Sequence, residues 1–261
     1  MKIYVSLTSI FQKQVSLLFT LKSILSQTLL PTKCFIYLSE DPYLIDTGFK
    51  NRILKNDLQK FINSNSIFEV RWCRNIGPYR KLLYLLKSKW NEDCLILTVD
   101  DDILFHPRLI ENYVCDYNKY KCCVTYRGFT HDFQFPDFSK FHYEKRRKTI
   151  PRTRYNFANS GVGTIIHPFF FHKTNNLIFD SNLIKELCQT TDDIWYYFCR
   201  IANNIDTVVI NKPHFFRFVS AQTRNADDAK YALFWKYNSV NDTNTINVKK
   251  TAEKFNQLKL L

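Results

Sequence analysis

Two periods of apolar residues organise the first 210 positions of the chain. Residues 2–7 form an apolar stretch closed by Thr8 and Ser9, and predict a strand. From 15 to 27, apolar residues at 15, 18, 21, 24 and 25 recur with a helical period, and Pro31 ends that element. Residues 34–38 predict a second strand, which runs into Ser39, Glu40 and Asp41. A polar, helix-like stretch then leads to a third strand at 67–72. Residues 82–86 belong to a helix opening near Pro78, a residue tolerated in a first turn. The continuous apolar run 94–99 is the pattern of a strand buried on both faces. Strands that alternate with helices in this order imply βαβ units and a largely parallel sheet.

The second half is less regular. Residues 128–157 are rich in aromatic and basic side chains with little periodicity, as in a long functional loop. Beyond them the pattern predicts a strand at 162–166, helices near 181–188 and 192–203, and a short strand at 207–210. We divide the chain into one domain, 1–240, in a regular first half (1–105) and a less regular second half (106–240). Residues 241–261 read as a polar, Lys-rich tail with a weak apolar pattern at Phe255, Leu258 and Leu261.

Composition narrows the function classes. At 261 residues and 45% hydrophobic, the chain has ample material for a core. Its formal charge of +13 points to anionic partners without choosing among them. The densest basic run is Lys145-Arg146-Arg147-Lys148, followed by Arg152 and Arg154, and no nucleic-acid recognition motif surrounds it. The eight cysteines include no C-x-x-C pair, and several sit in apolar runs, as expected of free thiols in a reducing compartment. The opening MKIYVSLTSIFQ lacks the apolar core of a signal peptide, and no stretch reaches the roughly 20 apolar residues of a membrane span. A cytoplasmic protein is the expectation.

The sharpest chemical signal is LILTVDDDILF. Three carboxylates directly follow a buried strand, at the end of an open parallel sheet where ligands bind. If strand geometry persists, Asp100 and Asp102 share one side and Asp101 takes the other. Adjacent like charges need compensation, which a hard ion such as Mg2+ or Mn2+ supplies together with substrate phosphates; an Asp-rich turn is the alternative. In QTTDDIWYYF, Asp192 and Asp193 suit either a helix first turn capped by Thr190 or Thr191, or a general base. Asn75-Ile76-Gly77-Pro78-Tyr79-Arg80-Lys81 is a Gly-Pro turn with two cations, and Asn159-Ser160-Gly161-Val162-Gly163 allows close backbone approach.

Taken in order, these features resemble sugar transferases of the GT-A type, in particular family-two-like enzymes of bacterial surface-polysaccharide assembly such as lipopolysaccharide or capsule. NIGPYRKLLYLL is similar to their N-x-G-P-x-x-K-L segment, VDDDILF to their D-x-D motif, and TTDDIWYYF to their late acidic motif. Where such enzymes often carry an arginine after the first strand, this chain departs and reads FQKQ, which offers either Lys13 as a substitute or none. The resemblance implies an α/β, Rossmann-like GT-A fold with a mostly parallel central sheet flanked by helices. It implies a hexosyltransferase-type activity using a nucleotide-diphosphate sugar, with UDP favoured, and a glycan or lipid-linked acceptor. Thr8, Ser9, Glu40, Asp41, Gly77, Pro78, Lys81, Asp100 and Asp101 would bind the donor. Asp102, Asp100 and His214 would hold Mn2+ or Mg2+. Asp193, or Asp192 beside it, would deprotonate the acceptor in an inverting displacement. Peripheral contact with anionic membrane, through residues 145–154 and the tail, would accompany this, the alternatives for the same residues being a grip on an anionic acceptor glycan or a solvated basic face; no nucleic acid is expected. The rival readings are a nucleotidyltransferase acting on sugar phosphates, whose Gly-rich loop TSIFQKQVS lacks, and a non-catalytic polyanion-binding protein.

Overall fold

The computed structural model describes residues 1–130, 138, 151–174, 176–220 and 230–261. Its frame is a seven-stranded sheet. In chain order the strands are β1 (Lys2–Thr8), β2 (Lys33–Leu38), β3 (Phe68–Trp72), β4 (Cys94–Thr98), β6 (Cys123–Thr125), β9 (Thr164–Ile166) and β10 (Thr207–Val209). They lie in the order β10-β6-β9-β4-β1-β2-β3. β9 runs antiparallel to β4 and β6, and every other pairing is parallel. Two small pairs complete the strands: β5 (Ile103–Phe105) with β11 (Phe216–Phe218), and β7 (Gly128–Phe129) with β8 (Phe157–Ala158).

Burial explains why β1 and β4 are central. All five residues of β4 are buried, as are five of the seven in β1, so each is covered on both faces. The helices are α1 (Gln14–Leu25), α2 (Asn56–Asn63), α3 (Leu83–Ser88), α4 (Leu109–Tyr120), α5 (Ser181–Leu187), α6 (Asp192–Ala202) and α7 (Thr243–Gln257).

Two sequence expectations need revision. Helix α1 forms where predicted, but Leu17, Leu21 and Ile24 face the core, while Val15 is exposed and Leu18 only half-buried. The chain offers two apolar stripes on this helix, and pattern alone does not choose which one packs. The second revision is the tail. Most of 241–261 is α7, which packs on α6 through Val248, Ala252 and Phe255, with the Phe255 ring 5.7 Å from Trp195 and 5.3 Å from Phe198. Three apolar residues among lysines hide the amphipathic stripe from a composition reading.

Candidate active site

The parallel register brings the carboxyl ends of β1 and β4 side by side, with Ser6 opposite Thr98. The residues that follow, Thr8-Ser9 and Asp100-Asp101-Asp102, therefore line one cavity of about 580 Å3. Gly77, Pro78 and Lys81 form another wall, and Thr190 to Asp193 with Asn159 form the far one. The two acidic motifs, about 90 positions apart in the chain, face each other across this space.

Strand geometry does not persist through the triplet. β4 ends at Thr98 and the chain turns at 101–102, so Asp101 joins its neighbours in the cavity instead of pointing away. The Asp101 carboxylate accepts a hydrogen bond from Ser9 Oγ. Asp102 Oδ2 accepts from Lys13 Nζ at 2.8 Å, and Lys13 also stands 3.6 Å from Asp101 Oδ1. Asp100 Oδ1 accepts from Lys81 Nζ at 3.0 Å.

Lys81 is the link between the walls. Its ammonium lies 3.0 Å from Asp100 and 3.1 Å from Asp192 Oδ2, an ion contact with each. Burial opposes charge on Lys81, but Asp100, Asp192 and Asp193 outweigh it and raise its pKa. Burial likewise pushes Asp192 up to about 7, against the pull of Lys81 and with help from Asp193 and Asp100. Asp101 rises to about 6 for the same first reason, burial, with Lys13 opposing. At Asp100, burial is overcome by Lys81, Lys13 and Arg127, which hold the carboxyl below its ordinary value.

The late acidic pair does not behave as a capped first turn. Neither threonine caps α6: Thr190 Oγ1 donates to Asn238 Oδ1 at 2.6 Å, and Thr191 Oγ1 to Asn244 Oδ1 at 2.9 Å. Asp193 Oδ1 instead accepts from Ser160 N–H at 3.1 Å and Ser160 Oγ at 2.5 Å, which locks it onto the 159–161 turn.

Three expected residues stand elsewhere. Glu40 is at the surface, paired with Arg52 at 2.7 Å, and Asp41 is exposed; neither lines the cavity. His214 is exposed beside Phe215, also off the lining. The loop after β2 contributes Asp46 instead. Asp46 Oδ2 accepts from Arg80 Nη2 at 2.9 Å and Asn75 Nδ2 at 3.0 Å, and its Oδ1 accepts from the N–H groups of Phe11 and Gly48. Asp46-Thr47-Gly48, an Asx-turn pattern, was the available sign. Arg127, whose guanidinium sits 5.8 Å from the Phe218 ring, and the aromatic turn from Tyr231 to Trp235 also line the cavity without a motif to announce them.

Gly161 is where close approach matters. A Cβ there would collide with Asp100 Oδ2. Because that oxygen ends a mobile side chain, Gly161→Ala should leave the fold intact but swing Asp100 off Lys81. We expect thermal unfolding near wild type and nucleotide-diphosphate affinity lower by about tenfold. Unchanged calorimetric affinity would show that Asp100 has no part in donor binding.

The donor set bears on a metal. Among the described residues, six carboxylates (Asp46, Asp100, Asp101, Asp102, Asp192, Asp193) and four cationic side chains (Lys13, Arg80, Lys81, Arg127) line the cavity. An incoming diphosphate would thus enter a site already short of positive charge. Among the described residues no three His, Cys, Asp or Glu side chains converge into a ready cage. The Asp100 and Asp102 carboxylates are 43% and 21% exposed, and each has one oxygen without a lysine. One or two open carboxylates awaiting phosphate ligands suit Mg2+ or Mn2+.

No family model and no curated protein matches the chain. Among solved structures it is similar to Staphylococcus aureus TarS 1-349, with a TM-score of 0.50 and 14% identity over 85% of this chain and 61% of that one. The same TarS segment in complex with UDP gives 0.47 and 14% over 80% and 60%, and in complex with UDP-GlcNAc 0.46 and 12% over 81% and 59%. The chain thus spans about three-fifths of the TarS segment. At such identity the likeness bears on architecture: the fold is α/β, of the GT-A type, with a mostly parallel central sheet flanked by helices.

Proposed function

We propose that the chain is a glycosyltransferase that moves a sugar from a nucleotide-diphosphate donor, UDP-linked in the first instance, to a hydroxyl of a glycan or lipid-linked acceptor. The observation that carries this reading is the facing of the two acidic groups across one cavity, joined by Lys81. Donor and acceptor chemistry need carboxylates in different roles, and here they come from opposite walls.

In this reading Thr8, Ser9, Gly77 and Pro78 border the nucleotide, and Asp102 with Asp100 would hold a divalent ion. When bound, that ion supplies Lewis-acid stabilisation of the departing diphosphate. Lys13 and Lys81 hold these carboxylates in place beforehand. Asp193, held by Ser160, accepts the proton of the acceptor hydroxyl as its oxygen attacks the anomeric carbon and the nucleoside diphosphate leaves. A single in-line displacement inverts the configuration. The hexosyl type of the sugar and a place in surface-polysaccharide assembly belong to the same proposal.

Calorimetry with UDP tests the donor side. Wild type is expected to bind UDP in Mn2+ and about tenfold or more weakly in EDTA, and Asp102→Ala to bind weakly in both. Equal affinity of wild type and mutant in Mn2+ would remove Asp102 from the site.

The basic run proposed for membrane contact is only partly visible. Residues 145–148 lie outside the described residues. Arg152 is spoken for by Asp206 at 2.8 Å, and Arg154 by Asn204 and Tyr155.

A further inference from the structure

The stripe of α1 that does not pack faces solvent. Val15 and Phe19, one turn apart on α1, are 39% and 36% exposed, and Phe11, in the short turn just before the helix, is 42% exposed. Ile53, 64% exposed, sits beside the start of this line: the N–H of Lys55 donates to Gln14 Oε1 at 2.7 Å, and the Phe11 ring stands 5.5 Å from Phe49. A helix apolar on both faces normally has both covered. Here the inner face has the core, and among the described residues nothing covers the outer one.

The border of the patch is cationic. Lys22 reaches over the Phe19 ring, with Nζ 5.8 Å from its centroid. Lys22, Lys50 and Lys55 are exposed and make no ion pair among the described residues; Arg52 pairs with Glu40. Asp57, two residues after Lys55, is also exposed. Aromatic side chains ringed by lysines match the headgroup–acyl boundary of an anionic bilayer, where rings enter the acyl edge and ammonium groups reach phosphate. The excess of thirteen positive charges on the chain favours the same partner.

We propose that the outer face of α1, with Ile53, docks the protein on an anionic lipid surface. The patch begins at the cavity's edge, since Ile10 and Lys13 line the cavity and Phe11 lies between them in sequence. Docking therefore brings that edge of the cavity close to the bilayer. Attachment itself needs no assumption about catalysis; only its use, bringing a lipid-linked acceptor to the site, rests on the glycosyltransferase reading.

Flotation with phosphatidylcholine vesicles containing about one-third phosphatidylglycerol, against pure phosphatidylcholine, reads the attachment directly. Wild type should rise with the anionic vesicles and be released at salt on the order of 0.5 M. The triple variant Val15→Ser, Phe19→Ser, Ile53→Ser should bind about tenfold less. Its UDP affinity should match wild type, which shows that the fold has held. If the triple variant does not fold, Lys22→Glu with Lys55→Glu gives the same readout without touching the apolar line. Wild type that stays unbound, or variants that float as well as wild type, overturn the proposal. So does sedimentation showing a wild-type dimer that the triple variant dissociates, because the face then belongs to a second copy. UDP calorimetry on the same sample keeps the two readings apart: vesicle binding without nucleotide binding rejects the enzyme and retains the docking.

Discussion

Asp193→Asn is expected to lower sugar transfer by about 10²–10⁴-fold, the usual loss for a general base, while UDP affinity stays near wild type. The substitution is well matched to the geometry. Asp193 holds Ser160 through Oδ1 alone, accepting from both its N–H and its hydroxyl. An asparagine carbonyl at Oδ1 can accept the same two bonds, so the 159–161 turn and Gly161 against Asp100 remain in place. What disappears is the basic second oxygen. Asp193→Ala, by contrast, releases Ser160 and should weaken donor binding as well. Transfer to an acceptor and calorimetric UDP binding, measured on both variants, separate the roles. Asp193→Asn turnover within a few-fold of wild type would leave Asp193 as a clamp for Ser160 and move the base elsewhere. Asp192 is a poor substitute because its carboxylate is buried against Lys81.

The strands were legible because burial on both faces writes continuous apolar runs, and 94–99 could be little else. The triplet was legible for the same reason: charges that directly end such a run must stand at the sheet's carboxyl edge. Its internal geometry was not. Whether Asp101 shares a side with Asp100 depends on where β4 stops; three aspartates allow a turn but do not say at which of them it falls. Glu40 and Asp41 were natural choices because they follow β2 immediately. The chain continues for five more residues before Asp46 reaches the cavity, and loop length is invisible to a strand pattern. On α1 the competing stripes at 15 and at 17 were equally apolar. The choice between them is made by what the sheet needs, which is tertiary information.

Asp46 also carries the largest stability prediction. Arg80 and Asp46 form a salt bridge at 2.9 Å with side chains only 1% and 2% exposed. Arg80→Met keeps much of the volume but leaves Asp46 charged and buried without its cation. Breaking one side of such a pair costs about 3–5 kcal/mol, a large share of the roughly 5–15 kcal/mol that holds a typical domain together. Asp46 retains donors from Asn75 and the Phe11 and Gly48 backbones, so the lower end, about 3 kcal/mol, is expected. Arg80 also donates to the carbonyls of Ser9 and Gly77, both at 3.3 Å, and so ties the β1 loop to the Gly-Pro turn. Its loss should therefore loosen the two walls that border the nucleotide, and UDP binding should weaken even where the protein is still folded. Adding Asp46→Asn to Arg80→Met removes the orphaned charge and should restore part of the stability, though not the tie between the loops. Urea unfolding of the two single variants and the double variant measures the coupling. An Arg80→Met protein within about 1 kcal/mol of wild type would mean that solvent reaches the pair and screens it.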